Sequence, residues 1–181
     1  MEQNLSQTLA LLERTPHAFN AILRGLPDAW TQPNEGGSTW NAFDIVGHLI
    51  HCERADWMPR IQQILHRGDV EPFEPLDREA QKQESRGKTL TQLLDEFTEL
   101  RAGNLALVRD MNLQPADLDR RGLHPKLGPV TLSNLLATWA VHDMTHLHQL
   151  SRVMAHQYRE AVGPWAKFVG VLQCTGHSAQ A

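Results

Sequence analysis

Apolar residues recur along this chain at helical spacing in four long stretches. In the first, from about Leu5 to Leu23, they fall at Leu5, Leu9, Leu12, Phe19, Ile22 and Leu23. Thr15-Pro16 inside it reads as a fresh cap with proline in the first turn, so the pattern predicts a break there. The second stretch runs from about Asn41 to His66, with Ile45, Leu49, Cys52, Trp57, Ile61, Ile64 and Leu65 on its apolar side. Asn41 followed three residues later by Asp44 has the spacing of a capping box, and Gly68 marks the end. The third stretch runs from about Leu90 to Met111, capped by Thr89, with Leu93, Leu94, Phe97, Leu100, Leu105 and Val108 facing inward. The fourth opens at Thr131 and continues to about Tyr158, with Leu132, Leu135, Leu136, Trp139, Leu147, Leu150, Val153 and Met154 on one side. Gly163-Pro164 closes it, and a short last helix is expected at Trp165 to Leu172.

Between these lie a loop through Asn34 to Ser38, a polar connection over 68–87, and an irregular segment from Gln114 to Pro129. No alternating strand pattern stands out. Four long amphipathic helices with short connections predict an all-α fold, a four-helix bundle with short extra helices, in a single domain over 1–181.

Composition narrows the function classes. Ordinary hydrophobic content allows a sizeable core, and a formal net charge of −4 without a basic patch argues against nucleic acid. The longest apolar run is shorter than a membrane span, and the N-terminus shows no signal peptide. Two cysteines, Cys52 and Cys174, make no disulfide framework, so a cytoplasmic protein is expected.

The chemistry concentrates in the fourth helix. His142 and His146 are four residues apart, so they share a face and make half of a transition-metal site. His48, in the apolar second helix, completes a set of three if the two helices pack together. Burying three imidazoles is costly unless each finds a partner, and one ion satisfies all three. Three histidines without a fixed fourth protein ligand leave a coordination position open, as catalytic rather than structural sites do. Asp44 and Asp143 are candidate acceptors for the second ring nitrogen of a ligand. His51 is a neighbour of the site, and Cys52, four residues after His48, is a core residue first and a ligand second. His148 is expected to point away, about 200° around the helix from His146. His17, His66, His156 and His177 read as surface residues, and His124 cannot be placed from sequence. His142-Asp143-Met144-Thr145-His146 lacks the glutamate of a zinc protease, and neither a phosphate loop nor a nucleophile elbow is present.

Trp40 to His48 (Trp-Asn-Ala-Phe-Asp-Ile-Val-Gly-His), His124-Pro125-Lys126-Leu127-Gly128, and Leu132 to Gln149 with Trp139, His142, Asp143 and His146 resemble the DinB-like superfamily. These are metal-binding four-helix proteins related to bacillithiol- and mycothiol-dependent transferases. The resemblance covers nearly the whole chain. It implies a divalent metal, nickel or zinc, at His48, His142 and His146, a small-molecule substrate, and a homodimer. It also implies one of several activities. The first expectation is transfer of a low-molecular-weight thiol cofactor to a small electrophile. Metal-dependent hydrolysis of a small molecule and non-catalytic metal or ligand binding in a stress protein are the alternatives.

Overall fold

Local capping signals decide where the long helices begin. In a computed structural model, which describes residues 3–77 and 79–174, Asn41, Thr89 and Thr131 each cap a helix reciprocally with the residue three positions on. The elements in order are α1 (Leu5–Leu12), α2 (Thr15–Leu23), α3 (Asp28–Thr31), α4 (Ala42–Ala55), α5 (Trp57–His66), α6 (Ala80–Glu84), α7 (Leu90–Asp110), α8 (Pro115–Leu118), β1 (Arg121–His124), β2 (Gly128–Thr131) and α9 (Leu132–His156). Two 3₁₀ turns, Gly163–Phe168 and Gly170–Leu172, follow. The expected break at Thr15-Pro16 is present.

The bundle is formed by α1–α2, α4–α5, α7 and α9. α4 lies between α7 and α9, α1 runs along α9, and α2 along α7. Two apolar clusters fill it. One gathers Leu9, Leu12, Ile61, Leu105, Val108, Leu136 and Trp139. The other gathers Phe19, Ile45, Leu49, Leu94, Phe97, Leu150 and Val153. The four helices pass from one cluster to the other in their middles. There several buried side chains are polar: His48 and Glu53 on α4, Arg101 on α7, and Asp143 and His146 on α9. A polar belt therefore divides the core, and the candidate chemistry lies in it.

Three expectations are revised. The helix expected over Asn41 to His66 is two helices, interrupted at Asp56 (φ −114°, ψ −68°). Pro59 explains this, because it cannot donate to the Ala55 carbonyl and its ring crowds that group. The segment Gln114 to Pro129 is not irregular throughout. It holds α8 and an antiparallel hairpin in which Arg121 pairs with Thr131 and His124 with Gly128. Strands of four residues are too short to display alternation. The last helix is a pair of 3₁₀ turns.

The 68–87 connection is partly structured. Its Phe73 is buried, and the Phe73 N–H donates to the Leu123 carbonyl at 2.8 Å. Gly122 admits this approach: a Cβ there would lie 2.4 Å from Phe73 Cζ and 2.7 Å from Ile64 Cγ1. Further on, α6 packs on α4 at Gly47, where a Cβ would meet Ser85 Oγ at 2.5 Å. No helix among the described residues is long and apolar enough to cross a membrane.

Candidate metal centre

One turn of α9 sets His142 and His146 on the same face, and the packing of α4 against α9 brings His48 to them. The Nε2 atoms converge, with His142 at 3.2 Å from His48 and 3.1 Å from His146. Among the described residues these three form a group able to hold a metal ion. Imidazole nitrogens at about 2.0–2.1 Å from a tetrahedral ion stand about 3.3 Å from one another, so the two observed spacings are compatible with a shared ion. His48 and His146 are buried, and His142 is half-buried.

The ring of His146 is oriented by Gln149, whose Oε1 accepts from Nδ1 at 2.8 Å. That bond places the proton on Nδ1 and leaves the Nε2 lone pair toward the other two histidines. Aromatic rings close the cluster on both sides. Trp40 lies 4.8 Å from the His48 ring and stacks on His146 at 6.2 Å. Trp57 meets His142 edge-on at 5.2 Å and stacks on Trp139. Cys52 Sγ is 3.5 Å from His48 Nε2. Burial, and after it the charge of Asp56, pushes the Cys52 thiol well above its ordinary value, so it stays protonated at neutral pH.

Three of the other sequence candidates take different roles. Asp44 caps α4, accepting from the Asn41 N–H at 3.2 Å. His51 faces α6, with its Nδ1 2.9 Å from Glu84 Oε1. Asp143 follows His142 but turns toward α7, where its carboxylate accepts from Arg101 at 2.6 and 3.1 Å. Neither aspartate touches a ring nitrogen of the cluster, and Gln149 supplies the acceptor instead. His148 is exposed, as expected; His156 is half-buried, and His177 lies outside the described residues.

Behind the cluster sits a buried ion network. Arg101 is 1% exposed and also bonds Glu53 Oε1 at 2.8 and 3.1 Å and the Leu12 carbonyl at 2.8 Å. Glu53 accepts in addition from Trp139 Nε1 and Asn104 Nδ2. Burial raises the Glu53 carboxyl above its usual range against the opposing pull of Arg101. The signal for this network was a charged residue in the apolar series of α7, where Arg101 takes the place between Phe97 and Leu105.

Beside the histidines opens a cavity of about 240 Å³. His48 and His142 form part of its wall, with Trp57, Phe73, Leu76, Val130 and Leu135. It is enclosed by α4, α5, α9, the hairpin and the Phe73 segment. The sequence left His124 unplaced; β1 carries it to this cavity.

The comparison with known families agrees with this architecture. The family model of the DinB superfamily matches residues 11–150. The chain belongs to the DinB superfamily. Its fold also resembles that of YfiT from Bacillus subtilis, described as a probable metal-dependent hydrolase with an unusual four-helix bundle topology. The two are 19% identical, with a TM-score of 0.71, covering 87% of each chain. No curated protein sequence matches this DinB superfamily chain.

Gln149→Leu removes the acceptor that fixes the His146 tautomer. The expected result is a 10- to 100-fold, order-of-magnitude weakening of zinc or nickel affinity with the fold retained. Competition with a chromophoric chelator reads it, and unchanged affinity would assign Gln149 a packing role only.

Proposed function

We propose that this protein is a metal-dependent enzyme acting on a small molecule, with His48, His142 and His146 as the ligands of one divalent ion, nickel or zinc. The observation that carries the reading is the convergence of three histidines, two of which, His48 and His142, line a cavity. A divalent ion held there supplies Lewis acidity, lowering the pKa of a coordinated water or thiol and polarising a substrate oxygen. The surrounding residues support that chemistry. Gln149 holds a proton on His146 Nδ1. Trp40 and Trp57 shield the rings, and the apolar wall at Phe73, Leu76 and Leu135 desolvates what enters.

The reaction read here is hydrolysis. Three imidazoles with an open position need only water as nucleophile, and the fold relative YfiT is described as a probable hydrolase. Transfer of a low-molecular-weight thiol to an electrophile is the second reading, and the sequence resemblance to thiol transferases supports it. The resemblance also supports a homodimer.

One experiment separates the readings. Protein purified without a metal-affinity resin is analysed for metal. It is then loaded with zinc or nickel and offered small esters and amides, and separately electrophiles with and without a small thiol. Metal-dependent ester or amide cleavage without thiol is the expected outcome. Turnover that appears only with thiol replaces hydrolysis by transfer. Bound metal without turnover of any of these leaves a binding protein.

A further inference from the structure

The cavity beside the histidines has a second chemical end that the metal reading does not use. Arg60 on α5 lines it, with its side chain 14% exposed and its Nε 2.7 Å from Asp56 Oδ1. Its guanidinium lies over the Phe73 ring, 5.2 Å from the centroid. Asp56 forms an ion pair with Arg60 on the Nε side, and among the described residues the two Nη groups make no hydrogen bond. Against the same ring, His124 packs in a T-shaped arrangement with centroids 6.4 Å apart. Its Nδ1 accepts the backbone N–H groups of Lys126 and Leu127, each at 3.2 Å. The ring proton is thereby placed on Nε2, which is left as a donor. Burial, and after it the Arg60 charge, holds His124 below the ordinary histidine range, so this neutral donor form prevails at neutral pH.

Two further donors belong to the same lining. Trp57 Nε1 is buried without a partner among the described residues. The Asn134 Oδ1 is taken by the Thr131 N–H at 3.0 Å, so its amide has N–H groups to offer. A lining with this many spare donors and an aspartate already engaged is complementary to an acceptor. A guanidinium fork whose Nη groups make no hydrogen bond among the described residues matches a carboxylate in shape and charge.

We infer that Arg60 and His124 form a recognition arm for a carboxylate carried by the substrate, whose apolar portion lies along Phe73, Leu76, Val130 and Leu135 toward the histidine cluster. The substrate class is thus a small amphipathic carboxylic acid. The inference rests on reading the cavity as the substrate site, but the arm itself requires no metal.

Its test uses metal-free protein, prepared by chelation and titrated by calorimetry with hexanoate and with hexanamide at pH 7.5. Hexanoate is expected to bind about tenfold more tightly than the amide, as charge-assisted bonds do relative to neutral ones. Arg60→Gln is expected to bring the two within about twofold while hexanamide affinity is unchanged. Should Arg60→Gln fail to fold, His124→Phe keeps the shape of the ring and removes its donor, and the hexanoate preference is expected to fall about threefold or more. Undetectable hexanoate binding, equal affinity for the two probes, or a preference that survives in the folded variant overturns the inference. A preference found only after zinc is added, and lost again in His142→Ala, puts the carboxylate on the ion. That outcome overturns the arm and leaves the metal reading standing. A preference in metal-free protein that takes up no zinc supports the arm and removes the metal reading.

Discussion

His142→Ala is expected to abolish metal binding at micromolar zinc or nickel, and with it all metal-dependent activity. His142 is the middle member of the cluster, since its Nε2 is the atom that approaches both of the others. Without it, one donor remains on α4 and one on α9. Apparent binding energies of about 10–16 kcal/mol for four-ligand zinc sites correspond to roughly 2.5–4 kcal/mol per ligand, or about 70- to 900-fold in affinity. Thermal melting reads this directly. A ligand of the folded state present at about 100 times its Kd stabilises by about 2.7 kcal/mol. The wild-type midpoint should therefore rise with added metal, and the midpoint of the variant should not. His148→Ala, at an exposed position on the same helix, is the control and should behave as wild type. A metal-induced shift of equal size in His142→Ala would remove the three-histidine reading.

The largest loss of stability is expected from Arg101→Met. Arg101 is the common partner of Glu53 and Asp143, whose side chains are fully buried. Breaking a buried ion pair by removing one member costs about 3–5 kcal/mol, because the remaining charge keeps its desolvation penalty without compensation. Here two carboxylates are stranded together, so the loss belongs at the upper end. The pH dependence follows from the direction of the shift. Burial already raises the Glu53 carboxyl in the folded protein against the pull of Arg101. Removing Arg101 raises it further, above the unfolded value of about 4.3. A carboxyl raised in the folded state favours folding where it is protonated, and that contribution is lost as pH rises through the folded pKa. The deficit of Arg101→Met relative to wild type should therefore be smaller at pH 5 than at pH 8. Urea unfolding at the two pH values checks it. A deficit that is equal at both, or larger at pH 5, would show that lost packing dominates over stranded charge. Replacing Glu53, Arg101 and Asp143 together by apolar residues should recover much of the stability, since no charge is then left unpaired.

The helices were legible because their signals are local. Caps at Asn41, Thr89 and Thr131 and apolar series at helical spacing need only residues within a few turns. The same holds for the His142/His146 pair, whose common face follows from helix geometry alone. The break at Asp56 was also written locally, in Pro59, but the continuous apolar series across it masked the effect. Reading the aspartates failed for a different reason. Adjacency to a histidine in sequence places Asp143 about 100° away from His142 around the helix axis, toward α7 and Arg101. Gln149 was the better candidate for His146 on spacing, one turn further along the same face.

By itself, then, the sequence determined the all-α class, the principal helix boundaries and the three histidines able to share an ion, because periodicity and capping act within single elements. Tertiary structure decided the rest. It brought α4 to α9 so that His48 meets its partners, and it sent Asp143 to Arg101. It also carried His124 on a short hairpin to the cavity that Arg60 shares. Those juxtapositions depend on which faces of distant helices bury against one another, and no local pattern encodes the side on which two elements will meet.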